Sequence, residues 1–286
     1  MGFVGLGTIG RPLAENLVRA ELSPVVFDID AAVVGTLAEQ GAVAAESLAE
    51  LAAAVDIVGV CVPADDHVRA VLDGPDGLFE HLRPGAVVAI HSTVSPDTVR
   101  WAAEAGARHD VGIVEACLTG GPGAASEGTT TFILGGAQQH KEAIDPILDA
   151  CGEVRVDAGT LGSANQLKLC LNLQTYVTHL GIAEALSLAR ELDVPIEGLK
   201  QAMEANGQLG FLTAAFFGLH ELPAELLEDE GVLALRLPQQ KIVAKDMALM
   251  QQVAGDRGVD VGGLDVARAR FERTYLLPHP DVEGTT

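Results

Sequence analysis

The sequence predicts an α/β domain of the doubly wound parallel-sheet class, followed by an all-α domain. Three observations support this prediction. The first half of the chain alternates short apolar runs with helix-period segments, and a glycine-rich turn follows the first run. No strand pattern returns after about residue 157. Strand, helix and strand at this spacing indicate right-handed crossovers between parallel strands.

The predicted elements follow in order along the chain. Short apolar runs predict strands at residues 2–6, 24–28, 57–62, 86–91, 112–118, 131–135 and 154–157. Helical periodicity predicts helices at 11–20 and 31–40 and, later, at 163–192, 196–206, 209–219, 239–257 and 263–275. The acidic run at 225–230 is expected to be a loop or a helix end. We therefore predict an α/β domain at 1–160 and an all-helical domain at 161–286.

Composition excludes several classes of function. The 286 residues include 18 Lys and Arg against 40 Asp and Glu, which gives a formal net charge of −22, and 48% of them are hydrophobic. This hydrophobic content suffices for a full core. The acidic balance would repel nucleic acid and an anionic membrane surface, so we expect neither as a partner. A small anionic substrate, held by local groups, is compatible with this acidic charge balance.

The cysteines and histidines show no metal-binding pattern. The four cysteines form no C-x-x-C pair, and the eight histidines form neither H-x-x-x-H nor H-E-x-x-H. We expect no metal and, since the cysteines have mostly apolar neighbours, buried thiols in a reducing compartment. The chain has no signal-peptide pattern and no apolar run long enough to span a bilayer. These features predict a cytoplasmic protein.

The opening segment, MGFVGLGTIGRPLAENL, contains G-x-G-x-x-G between a strand and a helix, formed by Gly5, Gly7 and Gly10. In a dinucleotide site the first glycine permits a tight turn, and the second lets the backbone approach a pyrophosphate. The third lets helix and strand pack closely, and the helix directs its N-terminal amides at the anion. We predict that this loop, with Thr8 and Ile9, binds a dinucleotide. An ordinary glycine-rich turn is the alternative.

An acidic residue, Asp28, ends the second predicted strand. A carboxylate at this position hydrogen-bonds the ribose hydroxyls of NAD and repels the 2′-phosphate of NADP. No Arg or Lys occurs from residue 28 to residue 51. The sequence therefore favours NAD over NADP. The alternative is that Asp28 serves, with Asp30, as a helix cap.

A second glycine-rich segment, EACLTGGPGAASEG, starts at Glu115 and contains Thr119, Gly120 and Gly121. Consecutive glycine amides and a hydroxyl can hold a carboxylate in the manner of an anion nest. The alternative is a plain loop of small residues, which would have the same composition.

A lysine stands on a predicted helix that is otherwise largely apolar, in GSANQLKLCLNL. Lys168 and Asn172 are spaced i, i+4 and share one helix face. Partial burial would lower the pKa of the amine and let it exchange a proton near neutral pH, with Asn172 orienting it or a substrate hydroxyl. The alternative is a lysine whose chain lies along apolar surface beside a structural asparagine.

Five motifs in this order resemble the β-hydroxyacid dehydrogenases, which include 3-hydroxyisobutyrate dehydrogenase, tartronate semialdehyde reductase and, more distantly, 6-phosphogluconate dehydrogenase. They are VGLGTIG, HSTVSP, EACLTGGPGAASEG, GSANQLKLCLN and AKDMAL. The resemblance covers residue 2 to about residue 271. It implies an NAD-binding Rossmann domain, a long inter-domain helix, and a helical domain for substrate binding and subunit contacts.

The resemblance also implies roles for individual residues. Lys168 would be the catalytic acid/base, supported by Asn172, and the substrate carboxylate would lie on Thr119, Gly120 and Gly121. Further residues would contact the cofactor, namely Val62, Pro63, His67, Thr93 and Lys245. An exposed ion pair with Asp246 is the alternative for Lys245.

Four positions depart from the family pattern, and they bear on which substrate the protein binds. Thr119 stands for the usual serine, Glu115 for an aspartate, Ala164 for a glycine and Leu171 for an asparagine. Imine reductases share the architecture but usually carry Asp or Tyr at the lysine position, so Lys168 favours an alcohol or carbonyl substrate. An apolar stretch of the helical domain predicts either a substrate wall or helix packing (Phe211, Leu212, Phe216 and Phe217).

We predict an NAD-dependent dehydrogenase of short β-hydroxy acids of the 3-hydroxyisobutyrate type, with hydride passing between the carbinol carbon and nicotinamide. Two alternatives stay open at this point, an imine or ketone reductase on the same scaffold and a non-catalytic NAD-binding sensor. The apolar helices after residue 163 also predict a homodimer or homotetramer, because a small domain buries too little surface to cover them alone.

Overall fold

The computed structural model describes residues 1–277, apart from the side chain of Phe211. By its internal contacts the chain divides into two compact units, Met1–Lys168 and the residues from Leu169 onward. The division falls inside one long helix, whereas the predicted domain boundary at 160/161 precedes that helix. No helix in the described range has both the length and the apolar character needed to cross a membrane.

The first unit contains an eight-stranded sheet in the order β3-β2-β1-β4-β5-β6-β7-β8. The strands are β1 (Gly2–Val4), β2 (Val25–Phe27), β3 (Val43–Ala44), β4 (Ile57–Val60), β5 (Val87–Ile90), β6 (Gly112–Thr119), β7 (Thr130–Gly135) and β8 (Gly152–Gly159). Strand order reverses direction at β1, as in doubly wound dinucleotide-binding sheets.

Helices cover both faces of this sheet. They are α1 (Gly10–Arg19), α2 (Ala31–Glu39), α3 (Leu48–Ala54), α4 (Asp65–Asp73), α5 (Leu78–His81), α6 (Pro96–Ala107), α7 (Gly121–Glu127), α8 (Gln138–Ala143) and α9 (Asp145–Cys151). Two buried clusters result, because successive strand residues point to opposite faces. Val88 and Ile90 belong to one cluster, and Val87 and Ala89 belong to the other.

The sheet confirms the predicted doubly wound, predominantly parallel class, and one strand pairing within it is antiparallel. Strands β6 and β7 pair antiparallel, with Glu115 opposite Gly135, while the other neighbouring pairs are parallel. The connection from β6 to β7 comprises only residues 120–129. A crossover between parallel strands needs a dozen or more residues. The short β3, which the prediction lacked, has only two residues, and both are exposed.

The second unit is helical. Helix α10 (Ser163–Glu191) enters it from the first unit, and the helices that follow are α11 (Ile196–Ala205), α12 (Phe211–Leu219), α13 (Ala224–Leu227), α14 (Glu230–Asp256), α15 (Gly262–Ala269) and α16 (Phe271–Thr274). Two boundaries differ from the prediction. Asp229 caps α14 through Val232 N, so the helix starts well before residue 239 and contains Pro238. The predicted helix at 263–275 is two helices that meet at Arg270.

The core of the second unit is formed by buried side chains of α10, α12, α14 and α15. Phe216 and Phe217 belong to this core, which favours helix packing over a substrate wall for these two residues. Among the cysteines, Cys117 and Cys151 are buried and Cys61 is partly buried, but Cys170 is exposed, contrary to prediction. Cys170 occupies an exposed position on α10, and its apolar neighbours in the sequence do not indicate this exposure.

Candidate active site

The predicted cofactor residues other than Lys245 lie in the first unit, in or near loops that follow the carboxyl ends of strands. The glycine loop follows β1, Asp28 follows β2, Val62 follows β4, and Thr93 follows β5. These strands are parallel, so their carboxyl ends lie along one edge of the sheet. Ligands of doubly wound sheets bind at this edge, beside the point where strand order reverses.

The three loop glycines have three different environments. A Cβ on Gly5 would overlap the carbonyl oxygen of Cys61, and one on Gly10 would overlap the carbonyl oxygen of Gly5. Gly5 also has a φ of 91°, which disfavours other residues. Gly7 is exposed and meets nothing within 4 Å. The structure thus leaves open space at the one glycine that a bound pyrophosphate would approach.

The loop leads directly into helix α1. Thr8 is exposed and Ile9 is partly exposed, and no side chain caps the helix at Ile9. An uncapped helix N-terminus presents backbone N–H groups and the positive end of its dipole to an anion. This N-terminus and the loop before it therefore fit the pyrophosphate of a dinucleotide.

Asp28 fastens the glycine loop to the end of β2. Its Oδ2 accepts a hydrogen bond from Leu6 N at 2.6 Å, and its Oδ1 accepts one from Asp30 N at 2.9 Å. The cap of helix α2 is Asp30, whose side chain accepts from Ala32 N. The alternative that Asp28 is itself a helix cap therefore does not describe the structure. The carboxylate keeps acceptor capacity for ribose hydroxyls, since each oxygen has two lone pairs.

The loops after β4 and β5 are bonded to each other. Val62 N donates to Ser92 Oγ at 2.9 Å, and Ser95 N donates to Asp65 Oδ1 at 2.8 Å. These bonds hold Val62 and Thr93 in neighbouring loops at the same sheet edge. Two further predicted cofactor residues are exposed in the first of these loops and in the helix after it, Pro63 and His67.

The predicted substrate residues lie at the end of β6. Thr119 is its last residue, and Gly120 and Gly121 have φ angles of 121° and 69°. Positive φ at two successive positions requires glycine and turns the backbone N–H groups sharply. This conformation is compatible with the predicted anion nest.

Lys168 lies in the second turn of α10 and is largely buried, with 8% of its surface exposed. The start of its helix is attached to β6 by Glu115, which is fully buried. The Glu115 carboxylate accepts hydrogen bonds from Gly162 N, Asn165 N and Asn165 Nδ2. The lysine is thus held on a helix whose first turn is fixed to the sheet edge.

Asn172 belongs to a buried polar group in the second unit. Its Nδ2 donates to Oδ2 of Asp246 at 2.9 Å, and the hydroxyl of Tyr176 donates to the same oxygen at 3.2 Å. Lys245 Nζ lies 2.9 Å from Asp246 Oδ1. Asp246 is only 2% exposed, so an exposed ion pair does not describe this contact. Burial, and next the nearby Asp246 charge, raise the pKa of Tyr176.

Sequence reasoning missed three residues that organise these positions, namely Ser92, Asn165 and Tyr176, and it considered Asp246 only as the partner of Lys245 in an exposed ion pair. Only the helical spacing hinted at two of them, because Asn165 is three residues before Lys168 and Tyr176 is four after Asn172. Among residues 1–277, no His, Cys, Asp or Glu cluster has the arrangement of a metal site.

The sheet, the glycine loop and the acidic end of β2 define a dinucleotide-dependent oxidoreductase. Residues 1–162 match the family model described as the NAD binding domain of 6-phosphogluconate dehydrogenase. The chain belongs to the β-hydroxyacid dehydrogenase family, whose members are NAD(P)-dependent hydroxyacid dehydrogenases.

Individual relatives support this assignment. The chain is 32% identical, over 75% of its length and 64% of the relative's, to a probable mitochondrial 3-hydroxyisobutyrate dehydrogenase of Dictyostelium discoideum. It is 31% identical, over 89% of its length and 85% of the relative's, to an NAD-dependent L-serine dehydrogenase of Pseudomonas aeruginosa. A crystal structure of 3-hydroxyisobutyrate dehydrogenase from Salmonella typhimurium superposes with a TM-score of 0.81 at 25% identity, covering 94% of this chain and 92% of that one.

Proposed function

We propose that this protein is an NAD-dependent dehydrogenase of short β-hydroxy acids, with Lys168 as general acid/base. The observation that carries the proposal is the buried lysine on α10, the start of which is bonded to the strand that leads into Thr119. The residues at the sheet edge would hold the dinucleotide, and Thr119, Gly120 and Gly121 would hold the substrate carboxylate.

The protein's own groups have separate tasks in this reaction. When bound, the nicotinamide cofactor supplies the hydride chemistry. Lys168 accepts the proton of the substrate hydroxyl during oxidation, and in its protonated form it donates a proton to the carbonyl oxygen during reduction. Asn172, fixed by Asp246, orients the substrate oxygen or the amine. Lys245 would contact the cofactor.

The names of two relatives suggest the substrate class. 3-Hydroxyisobutyrate and L-serine are both three-carbon-chain acids with a primary alcohol at C3, and they differ in a methyl or an ammonium group at C2. We propose that the substrate shares the carboxylate and the C3 alcohol. A panel with 3-hydroxyisobutyrate, L-serine and a cyclic imine, monitored by nicotinamide absorbance, tests this. Turnover of the imine alone would contradict the proposed class.

NAD is the proposed cofactor because Asp28 follows β2, where a carboxylate would contact the ribose hydroxyls, and nothing basic follows it up to residue 51. We further propose a cytoplasmic protein that functions as a homodimer or homotetramer, with the α/β unit binding NAD and the helical unit forming substrate and subunit contacts. The exposed apolar residues of the helical unit support this assembly.

The central test is Lys168→Ala. We expect kcat to fall by about two to four orders of magnitude, the usual contribution of a positioned acid/base. NAD affinity should change little, because the glycine loop and Asp28 are separate groups. Lys168→Arg should not restore turnover, because a guanidinium keeps its proton at working pH. The measurement is kcat at saturating NAD, with the NAD dissociation constant determined separately.

Asn172→Ala should lower kcat less than Lys168→Ala does, because the proposed role of Asn172 is to orient other groups. Wild-type turnover in Lys168→Ala would show that this lysine is only a helix residue and would refute the proposed mechanism.

A further inference from the structure

A buried polar pair, Glu115 and Asn165, lies next to the proposed acid/base without taking part in its chemistry. Both side chains are fully buried. Asn165 donates to Glu115 Oε1 twice, from its backbone N and from Nδ2, each at 2.9 Å, and Gly162 N donates to Oε2. Three N–H groups thus converge on one carboxylate.

These donors include backbone N–H groups at the start of α10. The first N–H groups of a helix have no partner within the helix, and a carboxylate placed there also interacts favourably with the helix dipole. Glu115 itself is fixed in β6, where it pairs with Ile90 of β5 and Gly135 of β7. The carboxylate therefore sets both the position and the direction in which α10 leaves the sheet.

The neighbouring strand leaves space for this carboxylate. A Cβ on Gly135 would lie 2.6 Å from Glu115 Oε2 and 3.1 Å from Ala164 N. The first of these distances is shorter than real Cβ contacts, so any side chain at this position would displace Glu115 or the first turn of α10. The conformation of Gly135 alone does not demand glycine, because its φ is not positive.

The side-chain oxygen of Asn165 is bonded to the loop after β5, which contains the proposed cofactor residue Thr93. Asn165 Oδ1 accepts a hydrogen bond from Val94 N at 2.8 Å. Val94 follows Thr93, and Ser92 in the same loop accepts from Val62 N. One chain of hydrogen bonds therefore runs from the loop after β4, through the loop after β5, to Asn165 and Glu115.

Lys168 is three residues after Asn165, which places the two side chains next to each other on one face of α10. We propose that Glu115 and Asn165 are positioning residues that set Lys168 against the cofactor loops, acting through the first turn of α10. This inference rests on the proposed function, since it assumes that Lys168 moves the proton.

The test is a double-mutant cycle of Glu115→Gln and Lys168→Ala. Glutamine has one acceptor oxygen in place of two, so at least one of the three N–H groups meets another donor. In the wild-type background we expect Glu115→Gln to lower kcat by about 10- to 100-fold, because a displacement of about 1 Å costs up to about 10²-fold. In the Lys168→Ala background it should lower the residual kcat less than about threefold, since there is no amine to misplace.

Controls separate positioning from folding. Gln166→Ala, at the exposed neighbour of Asn165, should leave kcat and the melting temperature unchanged. The NAD dissociation constant of Glu115→Gln should stay within about twofold of wild type, because the Val94 bond is kept. If Glu115→Gln does not fold, Glu115→Asp replaces it in the same cycle. Adding Asn165→Gln, which is longer by one methylene, should then recover part of the lost kcat.

The outcomes distinguish two failures. If Glu115→Gln lowers kcat by the same factor in both backgrounds, Glu115 has only a structural role. If it does not lower kcat in the wild-type background, Glu115 has no role in positioning Lys168. Either result overturns the positioning inference while a low kcat in Lys168→Ala still supports the acid/base. Wild-type turnover in Lys168→Ala would instead refute the proposed function.

Discussion

Asp28 serves both the loop and the proposed ribose contact. Its two oxygens already fix Leu6 and Asp30, so the carboxylate cannot swing away to admit a 2′-phosphate without breaking backbone hydrogen bonds. Ile29 beside it is 96% exposed, which leaves room for a longer side chain. The proposed preference for NAD therefore rests on a carboxylate that two backbone hydrogen bonds hold in place, beside a residue with open space around it.

We expect kcat/KM with NAD to exceed that with NADP by more than about tenfold, because a like-charge contact costs several kcal/mol. Asp28→Asn together with Ile29→Arg should narrow this ratio by removing the repulsion and adding a phosphate partner. Kinetics with both cofactors measure the change. Asp30→Ser is the matched control, since it removes a nearby charge but keeps a good helix cap, and it should retain the preference for NAD. A wild-type preference for NADP would contradict the argument.

The residues that sequence analysis found are those whose chemistry is unusual for their surroundings. Glycines in G-x-G-x-x-G and a lysine among leucines are visible without a structure. The hydrogen-bond partners of such residues cannot be recognised in the sequence, because they are ordinary polar residues far away along the chain. Asn172 and Asp246 are 74 residues apart, and Asn165 and Val94 are 71 apart. Only the folded chain brings such pairs together.

At the scale of elements, apolar runs located most strands, but pairing direction depended on connection length. The antiparallel β7 follows from a short connection, whereas strand propensity is the same for either direction. Helix α14 shows a second limit. The predicted helix begins at residue 239, directly after Pro238, yet the cap at Asp229 and packing of Met247 and Met250 sustain a helix through the proline.

A histidine joins three helical segments of the second unit. His179 on α10 stacks on Phe216 of α12 with ring centroids 4.0 Å apart, and its Nδ1 lies 2.8 Å from the hydroxyl of Tyr275, after α16. Burial, and next the nearby His220, lower the pKa of His179 from 6.5 to about 4. The folded unit therefore holds this imidazole neutral at a pH where the unfolded chain would protonate it.

This difference predicts acid sensitivity. Between pH 6.5 and about 4 the unfolded chain binds more protons at His179, so its contribution to the free energy of unfolding is complete above pH 6.5 and falls as pH falls. The loss from this residue should reach about 2 kcal/mol at pH 5. His179→Phe with Tyr275→Phe keeps the ring contacts and removes both polar groups. Urea unfolding measures the free energy of unfolding at pH 7 and pH 5. The difference between these two values should be smaller in the double variant than in wild type. An unchanged difference would exclude His179 as the source of the acid sensitivity.

At the scale of the whole molecule, the two units differ in how well they cover their apolar residues. Helices pack on both faces of the sheet in the first unit, and its edge strand β8 exposes only Val154 and Val156 among large apolar side chains. In the second unit, large apolar side chains lie exposed along helices, among them Leu188 on α10 and Leu235 and Ile242 on α14. Leu235 and Ile242 are seven residues apart and so share one face of α14.

An exposed apolar face of this kind is typical of a surface that contacts another protein, and we expect a second copy of the chain to cover it. Light scattering at micromolar concentration should give a mass of two or four times the 29.7 kDa chain. Leu235→Glu with Ile242→Glu should lower this mass, because burying unpaired carboxylates in an interface is costly. Val43→Glu, which alters an exposed apolar residue of the first unit, is the matched control and should leave the mass unchanged. A wild-type protein that scatters as a monomer would refute the predicted assembly, and an intact oligomer in the α14 double variant would place the contact on another face.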